Sequence, residues 1–235
     1  MTAGGDFKSF IVTRPWLTPF FKTINDLRCK TWDLLHSTDT CGQIPLASLD
    51  FQSENKALGF EYHSVHPRIT LSALATLGIK YENYTFIDFG CGKGRVLLLA
   101  SEFPFRRVVG VEFAPSLAET ARRNLERYRS QSQRCKRTEV ICTDATKFRM
   151  PLEPEVLYFY SPFKGAVMDR VVQNIESSVE SYPRDVLVLF AGLSSMRDRA
   201  FGGRCKFERV RREKYFDVYQ YGQRLFKASQ LVVDA

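Results

Sequence analysis

The pattern that most constrains the fold is a regular alternation of strand-like and helix-like segments from Tyr84 onward. Strand-like segments, rich in β-branched and aromatic residues, occupy 84–89, 107–112, 138–145, 155–163 and 185–192. Apolar residues at helical spacing occupy 95–103, 114–128 and 168–179. Strands that alternate with helices of this length build a mostly parallel sheet covered on both faces. Two strand-like stretches within 206–226 follow each other without a helix, which predicts an antiparallel hairpin at the sheet edge.

The segment before this alternation carries an apolar stripe with helical spacing. The stripe runs between Trp16 and Leu35, at Phe20, Ile24, Leu27, Leu34 and Leu35. It predicts a helical cap that packs on the rest of the chain. An irregular connection follows, and residues 66–78 then form a short helix pattern that ends at a glycine. We therefore predict an N-terminal extension over residues 1–60 and a catalytic domain over residues 61–235.

Length and composition fit an ordinary globular chain. The 235 residues are 44% hydrophobic and 26% charged, which allows a sizeable core. No apolar run approaches the eighteen or so residues that a membrane helix needs, and the N-terminus has no signal-peptide layout. The six cysteines have neither the close pairs of a metal site nor a secreted context. We expect a cytoplasmic protein with reduced cysteines, no bound metal and no membrane partner.

The net charge of +8 comes largely from two basic runs. Residues 122–137 contain seven basic side chains and one acidic one, and residues 197–214 contain eight and three. Such runs are attractive to nucleic acid, but they are more often solvated faces. No zinc-finger or RNP-type motif accompanies them. Nucleic acid is therefore an open partner that the sequence does not favour.

Three alternating glycines, Gly90, Gly92 and Gly94, separate the first strand from the first buried helix. In an open α/β sheet, ligands bind beyond the carboxyl ends of the strands, and glycine permits positive φ and a close approach to the backbone. The spacing is one residue shorter than the G-x-G-x-x-G of dinucleotide sites, and no P-loop pattern is present. Asp88, two residues before Gly90, would repel a pyrophosphate but suits a ligand with a positive centre, although Lys93 opposes this.

The stretch "FIDFGCGKGR" resembles motif I of the class I S-adenosylmethionine-dependent methyltransferases, and the resemblance extends from about Phe86 through Gly192. The upstream stretches "TDTCGQIPLASLDF" and "GFEYHSVHPRIT" resemble a bacterial branch of that superfamily. The resemblance implies a Rossmann-like seven-stranded methyltransferase fold with a C-terminal antiparallel hairpin. It also implies S-adenosyl-L-methionine as the cofactor and a methyl acceptor as the partner.

The resemblance assigns a cofactor role to the ends of the first three strands. Asp88 would face the methionine end, and Glu112, twenty-four residues later, would accept hydrogen bonds from both ribose hydroxyls. Asp144 and Ala145 would read the adenine. The cofactor-binding residues are thus Asp88, Gly90, Cys91, Gly92, Gly94, Glu112, Asp144 and Ala145.

The resemblance assigns the methyl-transfer site to "YSPF", where many members carry Asn/Asp-Pro-Pro-aromatic. Tyr160 and Ser161 are the catalytic candidates here, with Tyr62 lining the methyl channel by analogy. The substrate-binding candidates are Pro162, Phe163, His63 and His66. Ser161 stands in place of the usual Asn or Asp, and this departure supports the alternative of a binding module without the chemistry.

These residues predict a methyltransferase that acts on an amine nitrogen, of a protein lysine or a small molecule. The double proline that accompanies exocyclic base amines is missing, because Phe163 follows Pro162 directly. O-methylation of a small molecule is the alternative reaction. A nucleotide- or nucleic-acid-binding module that keeps the fold without the chemistry is a second alternative. An NAD-dependent oxidoreductase is disfavoured by the glycine spacing.

Overall fold

The architecture is a seven-stranded sheet with helices on both faces and a separate two-stranded sheet. The computed structural model describes residues 18–49, 58–192, 194–201 and 206–222. The strands are β1 (Gln43–Ile44), β2 (Tyr62–His63), β3 (Thr85–Phe89), β4 (Arg107–Glu112), β5 (Thr138–Cys142), β6 (Glu155–Tyr160), β7 (Val186–Ala191), β8 (Phe207–Arg212) and β9 (Phe216–Tyr221). The α-helices are α1 (Thr18–His36), α2 (Pro67–Ala75), α3 (Arg95–Ala100), α4 (Pro115–Arg127), α5 (Ala166–Ser181) and α6 (Ser194–Ala200).

The strand order of the large sheet is β5-β4-β3-β6-β7-β9-β8. β3 to β7 are parallel, and β9 runs antiparallel to both β7 and β8. This confirms the predicted mostly parallel, Rossmann-like sheet with a C-terminal antiparallel hairpin. The chain winds outward in one direction from β3 to β5 and in the other from β6, so a ligand crevice is expected at the carboxyl ends of β3 and β6.

Both faces of the central strands β3, β4, β6 and β7 are buried, and successive residues of a strand face opposite sides of the sheet. Phe86 and Tyr158 belong to the core beneath α2, α3 and α4. Ile87 and Phe159 belong to the opposite core, against α5. Each residue of β3 and β7 is buried, which agrees with the continuous apolar sequence of β7. None of the described helices is long and apolar enough to cross a membrane.

The N-terminal helix is present, but its predicted leucine stripe does not pack on the domain. Leu27, Leu34 and Leu35 are 64%, 81% and 74% exposed. The helix uses a different face, because the Trp32 ring stacks near Tyr128 and the Arg95 guanidinium lies 4.7 Å from the Trp32 ring centre. The stripe prediction was therefore wrong for these leucines. The side chains of Phe20 and Ile24 and all of Trp16 lie outside the described residues.

The predicted boundary at residue 60 falls close to a local pairing. β1 pairs with β2 in antiparallel fashion, through Gln43 opposite His63 and Ile44 opposite Tyr62. Gly59 forms an isolated bridge with Phe163. Residues before and after position 60 therefore contact each other and the large domain. The division into 1–60 and 61–235 stays a prediction.

Candidate active site

The crevice at the carboxyl ends of the strands holds a cavity of about 450 Å³. A smaller cavity of about 40 Å³ shares Gly90 and Pro162 with it. Of the residues predicted from sequence, the large cavity is lined by Tyr62, His63, Asp88, Gly90, Cys91, Gly92, Glu112, Tyr160, Ser161 and Pro162. The small cavity is also lined by Asp144, Ala145 and Phe163. Distant parts of the sequence therefore meet in one place.

The glycine loop adopts a conformation that only glycine takes readily. Gly90, Gly92 and Gly94 have φ values of +79°, +53° and +84°. A Cβ at Gly90 would lie 2.6 Å from Pro162 Cβ, and one at Gly92 would lie 2.4 Å from the Tyr62 ring. The chain's own side chains thus occupy the space that these glycines leave. Gly94 caps the start of α3 and is not among the described lining residues of either cavity.

Glu112 ties the end of β4 to this loop. Its carboxylate accepts the Gly92 amide at 2.8 Å through Oε2 and the Ala114 amide at 2.9 Å through Oε1. The side chain is buried, and burial raises its pKa, while these backbone donors act in the opposite direction. A carboxylate in this position can accept further hydrogen bonds from a ligand, because each oxygen has two lone-pair sites.

Asp88 forms a second buried carboxyl at the same edge. Burial, and then the charge of Glu112, raise the pKa of Asp88 well above its usual range. Two carboxyls in one low-dielectric cavity disfavour each other's ionised form. A ligand with a positive centre would relieve this, and a pyrophosphate would aggravate it. The electrostatics at Asp88 thus suit a cation.

Lys93 is not among the described lining residues of the large cavity, although a lysine in a glycine loop is typical of a phosphate site. Its Nζ donates to Asp39 Oδ1 at 2.8 Å and to the Cys41 carbonyl at 3.2 Å. The ammonium also lies 5.8 Å from the Tyr62 ring centre. These partners lie before β2 in sequence. Lys93 therefore holds the N-terminal region. Its positive charge is paired with Asp39, so it does not argue against a cationic ligand.

Residues 39–41, which we call the strap, cross this region and are held from several sides. Asp39 exchanges two hydrogen bonds with the Asn124 side chain, at 2.8 and 2.9 Å, and the same side chain donates to the Lys93 carbonyl at 2.8 Å. The Tyr62 hydroxyl donates to the Thr40 carbonyl at 2.5 Å. The strap therefore connects α4, the glycine loop and the Tyr62 ring that covers Gly92.

A buried polar cluster anchors the strap to α1 and α3. Asp33 accepts hydrogen bonds from the backbone amides of Thr40 at 2.8 Å and Cys41 at 2.6 Å. The Arg95 guanidinium donates to Thr40 Oγ1 at 2.6 Å and lies 3.3 Å from Asp33 Oδ1. Both charged side chains are almost fully buried, so this pair is little screened by solvent. The sequence offered one hint, since Arg95 directly follows the last loop glycine.

Asp144 caps the short 3-10 turn that follows β5. Its Oδ1 accepts the Thr146 amide at 2.8 Å and the Thr146 hydroxyl at 2.7 Å. With Ala145 it lines the small cavity beside Gly90. The residue therefore combines a local capping role with a place at the crevice.

Ser161 follows β6 and is the described non-glycine lining residue with positive φ, at +46°. Its hydroxyl is 3.5 Å from the Ala191 carbonyl at the end of β7. A Cβ at Gly192 would lie 2.3 Å from Ser161 Oγ, so only glycine fits beside it. Strained backbone of this kind is common where a side chain must be aimed at a ligand. Tyr160 lines the same cavity, and burial raises the pKa of its hydroxyl.

The remaining candidates differ in their placement. His63 lines the large cavity, and its Nε2 lies 2.8 Å from Glu61 Oε1. His66 instead caps α2, with Nδ1 accepting the Arg68 amide at 3.3 Å, and it is not among the described lining residues. Phe163 is 8% exposed and packs in the core against Phe159. His66 is thus placed as a helix cap, and Phe163 chiefly as a core residue.

Several lining residues were not singled out from sequence. They include Phe60, Val65, Ile69, Phe113, Leu117 and Tyr215. Apolar side chains have no chemical signature that separates a cavity wall from a core position. Tyr215 lies between β8 and β9, so only the folded hairpin brings it to the crevice.

Solved structures of methyltransferases resemble this one. An RNA methyltransferase from Salinibacter ruber, in complex with S-adenosyl-L-homocysteine, is 18% identical over 69% of this chain and 96% of that chain, with a TM-score of 0.46. A putative RNA methyltransferase from Pyrococcus horikoshii is 15% identical over 77% and 96%, with a TM-score of 0.49. Magnesium protoporphyrin IX methyltransferase from Synechocystis PCC 6803 is 12% identical over 66% and 77%, with a TM-score of 0.45. These identities are too low to transfer an acceptor from any of the three.

A comparison with curated proteins finds no significant match. A family model described as a methyltransferase domain matches residues 86–176. The matched range begins in β3 and ends in α5, so it contains the glycine loop, Glu112 and Ser161. The match shows that residues 86–176 carry a methyltransferase domain, and the glycine motif and the strand order agree with it.

Proposed function

We propose that the chain binds S-adenosyl-L-methionine in the large cavity and transfers its methyl group to an amine nitrogen beside Ser161. One observation carries the proposal. The Glu112 carboxylate reaches from the end of β4 to the glycine loop after β3 and lines the same cavity as Ser161 after β6. A ligand held at the ends of β3 and β4 therefore faces the polar side chain of Ser161 at the end of β6.

The cavity fits this cofactor in size and in charge. A volume of about 450 Å³ lies in the range of small-molecule sites. Asp88 and Glu112 supply two buried carboxyls toward a cationic ligand. The Gly92 amide donates to Glu112, which fixes the carboxylate in position. When bound, the cofactor supplies an electrophilic methyl group on a sulfonium centre.

The chain's residues then have distinct roles. Glu112 accepts the ribose hydroxyls, and Asp88 faces the methionine end. Asp144 and Ala145 hold the adenine at the small cavity, where they lie together. Tyr62 covers the loop at Gly92 and limits the access of water. These assignments make orientation the main contribution of the protein to catalysis.

The surroundings of Ser161 favour a nitrogen atom as the methyl acceptor. The Ser161 hydroxyl donates its one proton toward the Ala191 carbonyl, so its lone pairs remain to accept from an N–H group. An amine must lose its proton before it attacks. His63, whose other ring nitrogen can be held by Glu61, is the imidazole among the described lining residues and can take that proton.

Nucleic acid is not favoured as the acceptor, because several basic side chains of the second basic run pair with carboxylates of this chain. In the second basic run, Arg197 pairs with Asp217 at 3.0 Å, and Arg209 and Arg212 pair with Asp198 at 2.8 and 3.2 Å. Lys206 pairs with Glu180. Charges that are neutralised in this way contribute little to counterion release from a phosphate backbone.

We expect methyl transfer from labelled S-adenosyl-L-methionine to a protein or small-molecule fraction of a cell lysate, with the new methyl on nitrogen by mass spectrometry. Ser161→Ala should lower turnover by about ten- to a hundredfold, because it removes a positioned acceptor, and leave cofactor affinity within about twofold. Ser132→Ala, at an exposed position before β5, is the matched control.

Two results would contradict the assignment. A methyl ether or ester in the product would exclude nitrogen as the acceptor atom. Unchanged turnover in Ser161→Ala would remove this side chain from the reaction.

A further inference from the structure

Two cysteines that lie far apart in sequence meet beside the strap. The Sγ atoms of Cys29, in α1, and Cys41, in the strap, lie within 4.8 Å of each other. Both side chains are partly exposed, and both are free thiols. The Cys29 thiol also donates to Ser64 Oγ at 3.5 Å. A disulfide bond is about 2.05 Å long, so the two sulfurs need to approach by less than about 3 Å.

The position of Cys41 links this thiol pair to the glycine loop. Its backbone amide donates to Asp33 at 2.6 Å, and its carbonyl accepts from Lys93 Nζ at 3.2 Å. The residue therefore lies between α1 and the loop. A covalent bond from Cys41 to α1 would hold the strap in the place where it supports Lys93.

A metal ion is a poor occupant of this cluster. Asp33 is the third group close to the two thiols, which gives three ligand atoms. Its oxygens already accept the amides of Thr40 and Cys41, and the Arg95 guanidinium lies 3.3 Å away. A divalent cation here would have to displace these donors and would be repelled by Arg95. Oxidation of the thiols needs none of these changes.

We propose that Cys29 and Cys41 form a reversible disulfide that fixes the strap over the glycine loop. The oxidant is a small-molecule disulfide of the glutathione class. The Cys29 thiolate attacks one sulfur of this oxidant, forms a mixed disulfide and releases one thiolate. The Cys41 sulfur then loses its proton, attacks the Cys29 sulfur and displaces the second thiolate. Two protein thiols are oxidised, and the oxidant is reduced to two thiols.

The environment of Cys41 sets the pH dependence of the second step. Burial and the neighbouring Cys29 thiol, followed by Asp33, raise the pKa of Cys41 to about 11, and Arg95 opposes this shift. Only the thiolate attacks, so closure should accelerate by roughly tenfold per pH unit between pH 7 and pH 9. The bond therefore forms slowly at neutral pH unless the strap holds the two sulfurs together.

The test uses the full chain, incubated with glutathione disulfide and mapped by mass spectrometry without reduction. We expect a Cys29–Cys41 linkage, a mass loss of about 2 Da per chain, and full reversal by dithiothreitol. Cys142→Ser, which removes an exposed thiol elsewhere, should leave the linkage intact. Cys29→Ser should abolish it, and Cys41→Ser should trap the mixed disulfide on Cys29.

A chain in which both thiols carry glutathione without linking would overturn the proposal. So would one zinc ion per chain that is lost in both Cys29→Ser and Cys41→Ser. The expected effect on the cofactor, slower dissociation from the linked chain, rests on the proposed function. The linkage itself is measured without cofactor, so a failure of cofactor binding would leave the mapping result interpretable.

Discussion

Glu112→Ala should weaken S-adenosyl-L-methionine binding by about one to two orders of magnitude while the fold survives. The loss of a charge-assisted acceptor costs about 1.5–3 kcal/mol. Glu112 is buried at the end of β4 and also accepts the Gly92 and Ala114 amides, so its removal frees the loop as well as the ligand. Isothermal titration measures the affinity, and circular dichroism checks the fold.

The matched control is Glu119→Ala. Glu119 is exposed on α4 and pairs with Arg122 at 3.5 Å, one helical turn away. Exposed pairs of this kind contribute little, so we expect an unchanged dissociation constant. Equal affinities of wild type and Glu112→Ala, with native circular dichroism, would show that Glu112 does not contact the cofactor.

Gly92→Ala should damage both stability and cofactor binding. The new Cβ would lie 2.4 and 2.5 Å from two atoms of the Tyr62 ring, and the φ of +53° disfavours any side chain. The ring cannot swing away freely, because its hydroxyl donates to the Thr40 carbonyl in the strap. Overpacking and backbone strain together should lower the free energy of unfolding by about 2–4 kcal/mol. Chemical denaturation measures this loss.

Gly78→Ala separates the effect of overpacking from the effect of backbone strain. Its φ of +61° is similar, but a Cβ there would meet nothing within 4 Å. This variant should lose only the backbone contribution, about 1 kcal/mol, and keep its cofactor affinity. Equal losses of stability in both variants would show that the Tyr62 contact has no energetic weight.

The large sheet could be predicted from sequence because its signals are local. The segment 107–112 coincides with β4, and the glycines mark the end of β3. The predicted strands 138–145 and 155–163 extend beyond β5 and β6, which end at Cys142 and Tyr160. The extra residues leave the sheet in turns, where Asp144 becomes a cap and Ser161 takes a positive φ. The periodicity of apolar residues does not show where a strand ends in such a turn.

The N-terminal region could not be predicted in the same way, because its partners are far away in sequence. Leu27 and Leu34 fit a core stripe, yet α1 is held through Asp33, whose donors come from the strap and from α3. A buried aspartate has no signature in sequence, since aspartate is usually exposed. His66 illustrates the same limit, because a histidine next to a cavity-lining segment is here a helix cap.

Titration of the full chain with S-adenosyl-L-methionine, S-adenosyl-L-homocysteine, NAD and ATP tests the central claim most directly. The ends of β3, β4 and β6 line one cavity, which is also lined by residues of the G-x-G-x-G loop and contains the buried carboxyls of Asp88 and Glu112. We therefore expect one site that binds both adenosyl ligands. NAD and ATP carry phosphates, which Asp88 and Glu112 disfavour, and Lys93 is paired with Asp39 and is not among the described lining residues. We expect NAD and ATP to bind at least about tenfold more weakly, a difference of about 1.4 kcal/mol. Tighter binding of NAD or ATP than of S-adenosyl-L-methionine would contradict the account.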